Sequence, residues 1–247
     1  MLTPYASPDI VSSCVRQYSA AWTAERTPCV SWEDMGVQLP EALKKAVRKR
    51  QTEFIAGRLC AAQALGAAGC GDPDRILASV DRAPVWPKGY AGSITHTEGF
   101  VSAAVAREAD LRSIGIDTER IMSDRTAGDV GELVAGGEPF EKWAAGCAGN
   151  LGQAEWTTLM FSAKESVYKC VHPLAKTFLG FSDVALVACD WAAAWLVFRL
   201  TKAASPEFSA GFELTCRWMI KRPYVHAAVE LPWDYSRMAP AHPTARQ

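Results

Sequence analysis

The chain has 247 residues, of which 49% are hydrophobic and 21% are charged, and its formal net charge is −1. This length and apolar content allow a sizeable buried core, while the near-neutral charge argues against a protein that coats nucleic acid through its phosphates. No apolar run reaches the roughly 18 residues that a membrane-spanning helix needs, so we expect no membrane span.

The first part of the chain predicts one long helix and a group of strands. Residues 1–39 show no clear periodicity, and we expect loops there with a short strand near 20–22. A helix is predicted over 41–65, preceded by Pro40, because proline is tolerated at the start of a helix. Short segments separated by turn-forming residues predict three strands, over 92–96, 100–106 and 113–119.

The second part repeats this order loosely. Residues 120–150 are rich in glycine and acids and too long for a simple connection, which predicts a mobile or functional insertion. A helix follows over 155–171, and Pro173 is expected to end it. Two hairpins are predicted next, with strands over 184–190, 193–201, 212–220 and 224–231. Residues 232–247 are predicted to form a disordered tail.

Each part therefore combines a long helix with a mainly antiparallel sheet of three to four strands, which is an α+β arrangement. We place the two halves at 1–112 and 113–231. An interface between two such halves is a natural position for a ligand cleft.

Two acidic residues stand two positions apart at the end of the strand predicted over 113–119. Alternate side chains of a strand share a face, so Asp117 and Glu119 point the same way, with Cα atoms about 6.5 Å apart. Carboxylates this close repel each other unless a positive charge lies between them. Oxygen ligands suit Mg²⁺ better than Zn²⁺, although a polar strand edge is the commoner meaning of such a pair.

The helix predicted over 155–171 carries a second charged pair, Glu165 and Lys169, one turn apart. An ordinary surface ion pair of this spacing stabilises a helix by about 0.2–0.5 kcal/mol. If the helix instead lies over the end of the acidic strand, Glu165 completes a site of three carboxylates and Lys169 supplies a fixed positive charge.

Two residues of the first half are candidates for binding an anion. Arg58 lies in an apolar stretch, where an arginine normally has an anionic partner. His96 stands where a strand meets a turn, so it either caps that turn or donates to a phosphate oxygen.

The eight cysteines are scattered, and no two have the C-x-x-C spacing of a zinc site or a redox pair. The first 14 residues have neither the basic nor the apolar region of a secretory signal. We therefore expect reduced thiols and a cytoplasmic protein.

Five segments, in order along the chain, resemble the signatures of the 4′-phosphopantetheinyl transferases, and in particular of their Sfp-type, EntD-like and PcpS-like bacterial branch. They are residues 50–58 (RQTEFIAGR), 82–87 (RAPVWP), 92–96 (GSITH), 115–119 (GIDTE) and 161–169 (FSAKESVYK). The resemblance covers about 45–185. Phe161 is a departure, because many relatives have tryptophan there, whereas EntD-like members often have phenylalanine.

The resemblance implies a fold of two pseudo-symmetric α+β halves with coenzyme A between them. It also implies a reaction in which the phosphopantetheine arm of coenzyme A passes to a serine of an apo acyl, peptidyl or aryl carrier protein, releasing adenosine 3′,5′-bisphosphate. The resemblance also implies the use of Mg²⁺, or Mn²⁺ instead, and a role in fatty-acid, siderophore or antibiotic biosynthesis. We further expect a monomer, and the near-neutral net charge predicts that it has no nucleic-acid partner.

The resemblance further implies roles for particular residues. Asp117, Glu119 and Glu165 would hold Mg²⁺ on the diphosphate, where a cation stabilises the developing charge. Catalysis is expected from Asp117, Glu165 and Lys169: Glu165 would take the serine proton, directly or through a metal-bound water, and Lys169 would neutralise the leaving phosphate. Thr95 and His96 would hydrogen-bond the diphosphate, and Arg58, with Arg50 and Arg82, would meet the 3′-phosphate and adenine end of coenzyme A. Lys164 is also expected to bind coenzyme A.

Two other functions remain alternatives. A Mg²⁺-dependent phosphodiester nuclease also uses clustered carboxylates with a lysine, but the net charge and the lack of an interleaved basic and aromatic patch count against it. A non-catalytic module would bind coenzyme A or a carrier protein without turnover, and the intact acids and Lys169 count against that.

Overall fold

The computed structural model describes residues 2–22, 37, 39–73, 77–78, 83–135 and 151–234. The helices in this part of the chain are α1 (Glu41–Lys44), α2 (Arg48–Ala67), α3 (Asp124–Ala135) and α4 (Gln153–Ala175). The strands of the first half are β1 (Thr3–Tyr5), β2 (Arg16–Ala21), β3 (Leu77–Ala78), β4 (Pro84–Val85), β5 (Tyr90–Thr97) and β6 (Phe100–Arg107). Those of the second half are β7 (Ser113–Arg120), β8 (Val184–Asp190), β9 (Trp195–Leu200), β10 (Glu213–Lys221) and β11 (Tyr224–Leu231).

The strands form two main antiparallel sheets, each covered by one long helix. The first sheet has the order β1-β2-β6-β5 and packs against α2, and the second has the order β7-β11-β10-β9-β8 and packs against α4. The predicted α+β fold with helix-on-sheet halves is confirmed. The second sheet has five strands rather than three or four, because β7 pairs with β11 along its whole length.

The predicted hairpins are confirmed, but the first helix differs from its prediction. The helix expected over 41–65 is interrupted, with α1 ending at Lys44 and α2 beginning at Arg48. Val47 has an extended ψ of 147° and so breaks the helical backbone. The side-chain amide of Gln51 donates to the carbonyl oxygens of Leu43 and Ala46, at 3.0 and 3.1 Å. This amide takes the place of the helical N–H groups that the break removes.

Two further predictions in the second half are corrected. Pro173 does not end the helix: α4 continues through it to Ala175, and Lys176 caps its end. A proline in the last turn removes only one backbone hydrogen bond, which a helix of 23 residues tolerates. Part of the predicted insertion is regular structure, namely α3, whose buried Val134 joins the core under α4. The rest of the insertion, 136–150, and the predicted tail from 235 lie outside the described residues.

The open edges of the two sheets, β5 and β7, lie side by side and are joined by side chains. Three hydroxyl-bearing residues alternate along β5, and we call them the hydroxyl ladder: Ser93, Thr95 and Thr97. Their oxygens accept hydrogen bonds from the backbone N–H groups of Ile116, Thr118 and Arg120, at 3.0, 2.9 and 3.4 Å respectively. The ladder thus satisfies backbone donors that would otherwise stay unpaired at a sheet edge.

Helix α4 lies directly against β7 at Gly115. A Cβ atom at this position would lie 2.0 Å from the carbonyl oxygen of Ser166 and 2.6 Å from the backbone nitrogen of Cys170. Only glycine permits this approach. The contact brings the helix that carries Glu165 and Lys169 onto the strand that carries Asp117.

Within the described residues, no helix is both long and apolar enough to cross a bilayer. Six cysteines are free thiols: Cys14, Cys60, Cys70, Cys170, Cys189 and Cys216. The other two, Cys29 and Cys147, lie outside the described residues.

Candidate active site

Asp117 is the centre of a cluster of charges between the two sheets. Its side chain is 4% exposed, and its Oδ1 accepts hydrogen bonds from the Lys169 ammonium at 2.6 Å and from the Thr95 hydroxyl at 3.1 Å. Its Oδ2 is buried and has no hydrogen-bond partner among the described residues. A buried carboxylate oxygen without a partner is costly, so this atom is suited to receive a ligand.

Glu119 lies on the same face of β7, as the alternation predicted. Its Oε2 accepts a hydrogen bond from the Thr97 hydroxyl at 3.1 Å. Burial and the negative charge of Asp117 raise the pKa of Glu119 to about 7, against the opposing effects of Thr97 and Lys169. This carboxyl therefore keeps its proton to a higher pH than an ordinary glutamate does, and a bound cation would favour its ionised form.

Glu165 approaches the same cluster from α4. Burial raises its pKa above the usual value, the positive charge of Lys169 opposes this rise, and the negative charge of Asp117 adds to it. The negative charges of Asp117 and Glu165 also raise the pKa of Glu119. The three predicted acids are thus electrostatic neighbours, contributed by two distant parts of the sequence.

The three acids do not form a ready coordination shell. In the described part of the chain, no three histidine, cysteine, aspartate or glutamate side chains are grouped closely enough to hold a metal ion as they stand. The Lys169 ammonium instead lies on Asp117 and offsets its charge. The donor set nevertheless consists of oxygen atoms, and the buried Oδ2 of Asp117 is available, which fits a hard divalent cation.

His96 and Arg50 meet on the α2 side of this cluster. The guanidinium of Arg50 lies 3.2 Å from Nε2 of His96 and 3.4 Å from the carboxylate of Glu53, which is 3.9 Å from Nδ1 of the same histidine. Burial, more than any charge, lowers the pKa of His96. Glu53 therefore orients both of these predicted anion-binding residues.

A cleft of about 500 Å³ opens beside the acids, and it is lined by both halves of the chain. Arg50 and Trp86 line it from the first half, and Lys169, His172 and Lys176 line it from α4 and its end. None of the lining residues is acidic. The cleft therefore combines positive charge with an aromatic wall, which suits a phosphorylated, ring-containing ligand.

Among the described residues, four of the predicted ligand-binding residues do not line this cleft: Thr95 and His96, which lie beside the acid cluster, and Arg58 and Lys164. Arg58 is 6% exposed and stacks over the ring of Phe54 at 4.7 Å, and burial lowers its pKa to about 10. Lys164 is buried and donates to the carbonyl oxygens of Ala135 and Phe181, at 3.3 and 2.9 Å. Arg82 lies outside the described residues.

Several residues of the site were not predicted from the sequence. The roles of Thr97 and Ser93 do not follow from the local sequence, because their hydroxyls contact a strand that is distant along the chain. Their alternation with Thr95 does indicate that the three hydroxyls share one face of β5. Glu53 stands three residues after Arg50, which is the spacing of a helical ion pair. Lys176 gave no signal, because its position in the cleft follows from the backbone conformation that ends α4.

Fold and site together describe a protein of two helix-on-sheet halves, with a carboxylate and lysine centre where the sheets meet. Residues 39–106 match the model of the 4′-phosphopantetheinyl transferase N-terminal domain, and residues 113–229 match that of the 4′-phosphopantetheinyl transferase superfamily. These two matches together include Arg50, Thr95 and His96 in the first and Asp117, Glu165 and Lys169 in the second.

Two of the curated relatives that the chain matches are named 4′-phosphopantetheinyl transferases, and a third is named enterobactin synthase component D. The 4′-phosphopantetheinyl transferase PptT of Mycobacterium tuberculosis is 33% identical over 203 residues, covering 78% of this chain and 86% of the relative. The transferase Svp of Streptomyces mobaraensis is 43% identical over 143 residues, or 58% of this chain and 56% of Svp. Enterobactin synthase component D of Salmonella austin is 37% identical over 134 residues, and the chain spans 51% of its length. The chain belongs to the 4′-phosphopantetheinyl transferase superfamily.

Proposed function

We propose that this protein transfers the phosphopantetheine arm of coenzyme A to a serine of an apo carrier protein. The observation that carries the proposal is the buried Asp117–Lys169 pair, with Glu119 and Glu165 beside it, next to a cationic cleft. Transfer of this arm breaks a diphosphate, so it requires positive charge and a base close together. Membership of the superfamily supports the same reaction.

Mg²⁺, or Mn²⁺ in its place, is part of the proposal. Asp117, Glu119 and Glu165 would hold the ion, because they are the neighbouring oxygen donors and Asp117 has a buried oxygen to offer. When bound, the ion would neutralise negative charge on the diphosphate. Burial and the negative charge of Asp117 raise the pKa of Glu119 to about 7, and a bound cation would offset both effects.

The chain's own residues account for the rest of the reaction. Glu165, whose pKa is raised by burial, is the base that takes the proton from the serine hydroxyl. The serine oxygen then bonds to the β-phosphorus of coenzyme A, and the bond from that phosphorus to the bridging oxygen breaks. Lys169 stabilises the charge on the departing phosphate of adenosine 3′,5′-bisphosphate. Arg50, which lines the cleft, holds the coenzyme there, together with the neighbouring His96.

The two halves have different tasks in this proposal. Residues 1–112 would bind coenzyme A, and residues 113–231 would supply the acids and the lysine. The enzyme would act as a cytoplasmic monomer on a carrier protein of fatty-acid, siderophore or antibiotic synthesis. A relative named enterobactin synthase component D supports a carrier of the siderophore kind.

The test is a transfer assay with coenzyme A, Mg²⁺ and a panel of apo acyl, peptidyl and aryl carrier proteins, read by the mass of the intact carrier. We expect one or more carriers to gain the arm. Glu165→Gln is expected to lower the rate by about 10²-fold or more while the protein still binds coenzyme A, because it removes the base and keeps the side-chain shape.

The exposed Glu132→Gln on α3 is the matched control and should transfer at the wild-type rate. Coenzyme A binding without modification of any carrier would favour a binding module instead. Cleavage of DNA or RNA in Mg²⁺ would favour the nuclease.

A further inference from the structure

The ring of His96 lies between a positive and a negative side chain of α2. The guanidinium of Arg50 is 3.2 Å from Nε2 of the ring, and the carboxylate of Glu53 is 3.9 Å from Nδ1. The same carboxylate accepts a hydrogen bond from Arg50 at 3.4 Å. Arg50, Glu53 and His96 therefore form a closed set of three contacts, which we call the histidine triangle.

The two partners of the ring decide where its proton lies. A guanidinium carries only N–H donors, so Nε2 of His96 can meet Arg50 only as an acceptor, through its lone pair. The single proton of the neutral ring therefore belongs on Nδ1, which faces Glu53. A second proton, on Nε2, would place an imidazolium directly against the guanidinium. The geometry thus favours a neutral ring as long as Arg50 stays beside it.

The charges around His96 act in opposite directions. Burial has the largest effect and lowers its pKa, and the positive charges of Lys169 and Arg50 lower the pKa further. The negative charges of Glu53 and Asp117 raise it, and Glu53 has the larger effect of the two. Lys169 is held by its own ion pair with Asp117. Arg50 is therefore the opposing charge that a ligand can draw away from the ring.

Arg50 is also the member of the histidine triangle that a ligand reaches first. Its side chain is 47% exposed and lines the cleft, whereas that of Glu53 is 12% exposed. A phosphate group bound by Arg50 brings negative charge to the Nε2 side of the ring and removes the N–H that Nε2 accepts. Both changes favour a proton on Nε2, which can then donate to the phosphate. Glu53 remains beside Nδ1 and stabilises the imidazolium.

We propose that Glu53 holds the Nδ1 proton of His96, so that Nε2 takes up a proton from the solvent when a phosphate group of coenzyme A engages Arg50. This inference rests on the proposed function. Glu53 is in this role a positioning residue, because it acts through the ring and takes no part in the transfer itself. Binding of the coenzyme then changes the charge of His96 from neutral to positive.

The test measures the protons taken up on binding, by calorimetric titration of the full chain with coenzyme A at about pH 7 in two buffers of different ionisation enthalpy. The variants are Glu53→Gln, His96→Gln and the double variant, and the exposed Glu98→Gln in the neighbouring turn is the matched control. The same Mg²⁺ concentration is kept throughout, so protons that the other carboxylates exchange cancel in the differences between variants.

Glu53→Gln and His96→Gln should each take up fewer protons than the wild type, by about half a proton or more per coenzyme. The double variant should lose no more than either, because both substitutions remove one protonation site. Glu98→Gln should match the wild type. The wild-type affinity should rise as the pH falls from 8.5 to 6.5, by up to about tenfold per pH unit, and that of Glu53→Gln should rise less.

Wild-type proton uptake in either single variant would overturn the inference, and so would losses that add in the double variant. If Glu53→Gln binds too weakly to titrate, the wild type and His96→Gln decide alone, since equal uptake by these two rejects the proposal. The proposed function is judged separately, by carrier modification with wild-type protein. An active wild type without proton uptake at His96 rejects this inference alone, whereas a wild type that binds no coenzyme and modifies no carrier rejects both.

Discussion

Thr95 connects the two sheets and the acid cluster through one hydroxyl. Its Oγ1 accepts the N–H of Thr118 and donates to Asp117, so it fixes the strand and the carboxylate together. The family resemblance gave this residue to the diphosphate of coenzyme A. Its contacts in the structure favour a positioning role, in which the hydroxyl acts on the coenzyme through Asp117.

These two roles make different predictions for Thr95→Val. Valine keeps the shape but leaves the buried N–H of Thr118 unpaired, which should lower the free energy of unfolding by about 1–3 kcal/mol. It also removes one of the two hydrogen bonds to Oδ1 of Asp117, which keeps its bond from Lys169. A positioning role predicts a lower kcat with little change in the KM for coenzyme A. A direct contact to the diphosphate predicts a raised KM instead. Thr95→Ser restores the hydroxyl and should recover most of the loss, in both a denaturant titration and the transfer assay.

His226 is a buried histidine whose protonation the fold opposes. It is 1% exposed, and its Nδ1 lies 2.9 Å from the Thr118 hydroxyl, on the strand that carries Asp117. Burial lowers the pKa of His226, and the positive charge of Lys221 lowers it further. The negative charge of Asp117 raises it, and the pKa that results is about 4. The folded protein therefore keeps this imidazole neutral at pH values where the unfolded chain is protonated.

The free energy of unfolding should consequently fall as the pH decreases from 6.5 to about 4. Below 6.5 the unfolded chain takes up a proton that the folded protein does not, so His226 contributes a loss of about 3 kcal/mol across this window and none above it. The measurement is a series of urea titrations from pH 7.5 to 4. His226→Gln cannot titrate and should show a shallower decline. Parallel curves for the two proteins would contradict the assigned pKa.

At the scale of the elements, the site depends on how closely α4 lies on β7. The helix carries Glu165 and Lys169, the strand carries Asp117, and Gly115 is the position where the two backbones meet. The carbonyl oxygen of Ser166 there belongs to the helix backbone, so it cannot rotate away as a side chain could.

Gly115→Ala should therefore push α4 away from β7. We expect a loss of about 3 kcal/mol or more in the free energy of unfolding, in the upper range for a single substitution, and a fall in transfer rate beyond what unfolding explains. Gly128→Ala in α3 is the matched control, because nothing lies within 4 Å of its added Cβ. Helix propensity predicts that this control gains about 0.5–1 kcal/mol. Equal stability of both variants would mean that the contact is looser than described.

The sequence predicted most of the elements and the central acids, because both follow from local patterns. Alternation placed Asp117 and Glu119 on one face of a strand, and i, i+4 spacing joined Glu165 to Lys169. The helix break before Arg48 was not predicted, because it depends on the carbonyl contacts of Gln51. The continuation of α4 through Pro173 does not follow from the local sequence, because a proline stops a helix or is tolerated in its last turn according to the contacts that hold the helix end.

What the sequence could not predict was set by contacts between the halves. The ladder hydroxyls meet partners 22 or 23 positions along the chain, on a strand of the other sheet. Lys164 belongs to a recognisable motif, yet its ammonium lies on backbone carbonyls of Ala135 and Phe181. A motif identifies which residues matter, whereas only the packing of α4 decides which of them face the cleft.

At the scale of the whole molecule, the two halves are joined over a broad surface. A shared apolar cluster combines Ala104 and Ala106 of the first sheet with Ile114, Ile116 and Ala228 of the second. Beside it, the ring of Phe100 lies 5.4 Å from that of Tyr224, whose hydroxyl donates to the carbonyl oxygen of Glu98. Neither sheet has a complete core of its own on this side.

We therefore expect fragments 1–112 and 113–247 not to fold cooperatively when expressed apart. Separation would expose the shared cluster and leave buried N–H groups of β7 without the hydroxyls that accept them. The measurement is a thermal melt of each fragment by circular dichroism, followed by one of their equimolar mixture, which should recover a cooperative transition. A sharp melt of fragment 1–112 alone would contradict this expectation.

The hydroxyl ladder also limits how this protein can be recombined with its relatives. A crossover near residue 110 would take β5 from one parent and β7 from the other. Whether the two strands fit would then depend on the three hydroxyl oxygens of the ladder more than on the overall sequence identity of the parents. Chimeras whose donor strand carries valine or alanine at these positions should assemble with an ill-placed Asp117, even when every carboxylate is inherited intact.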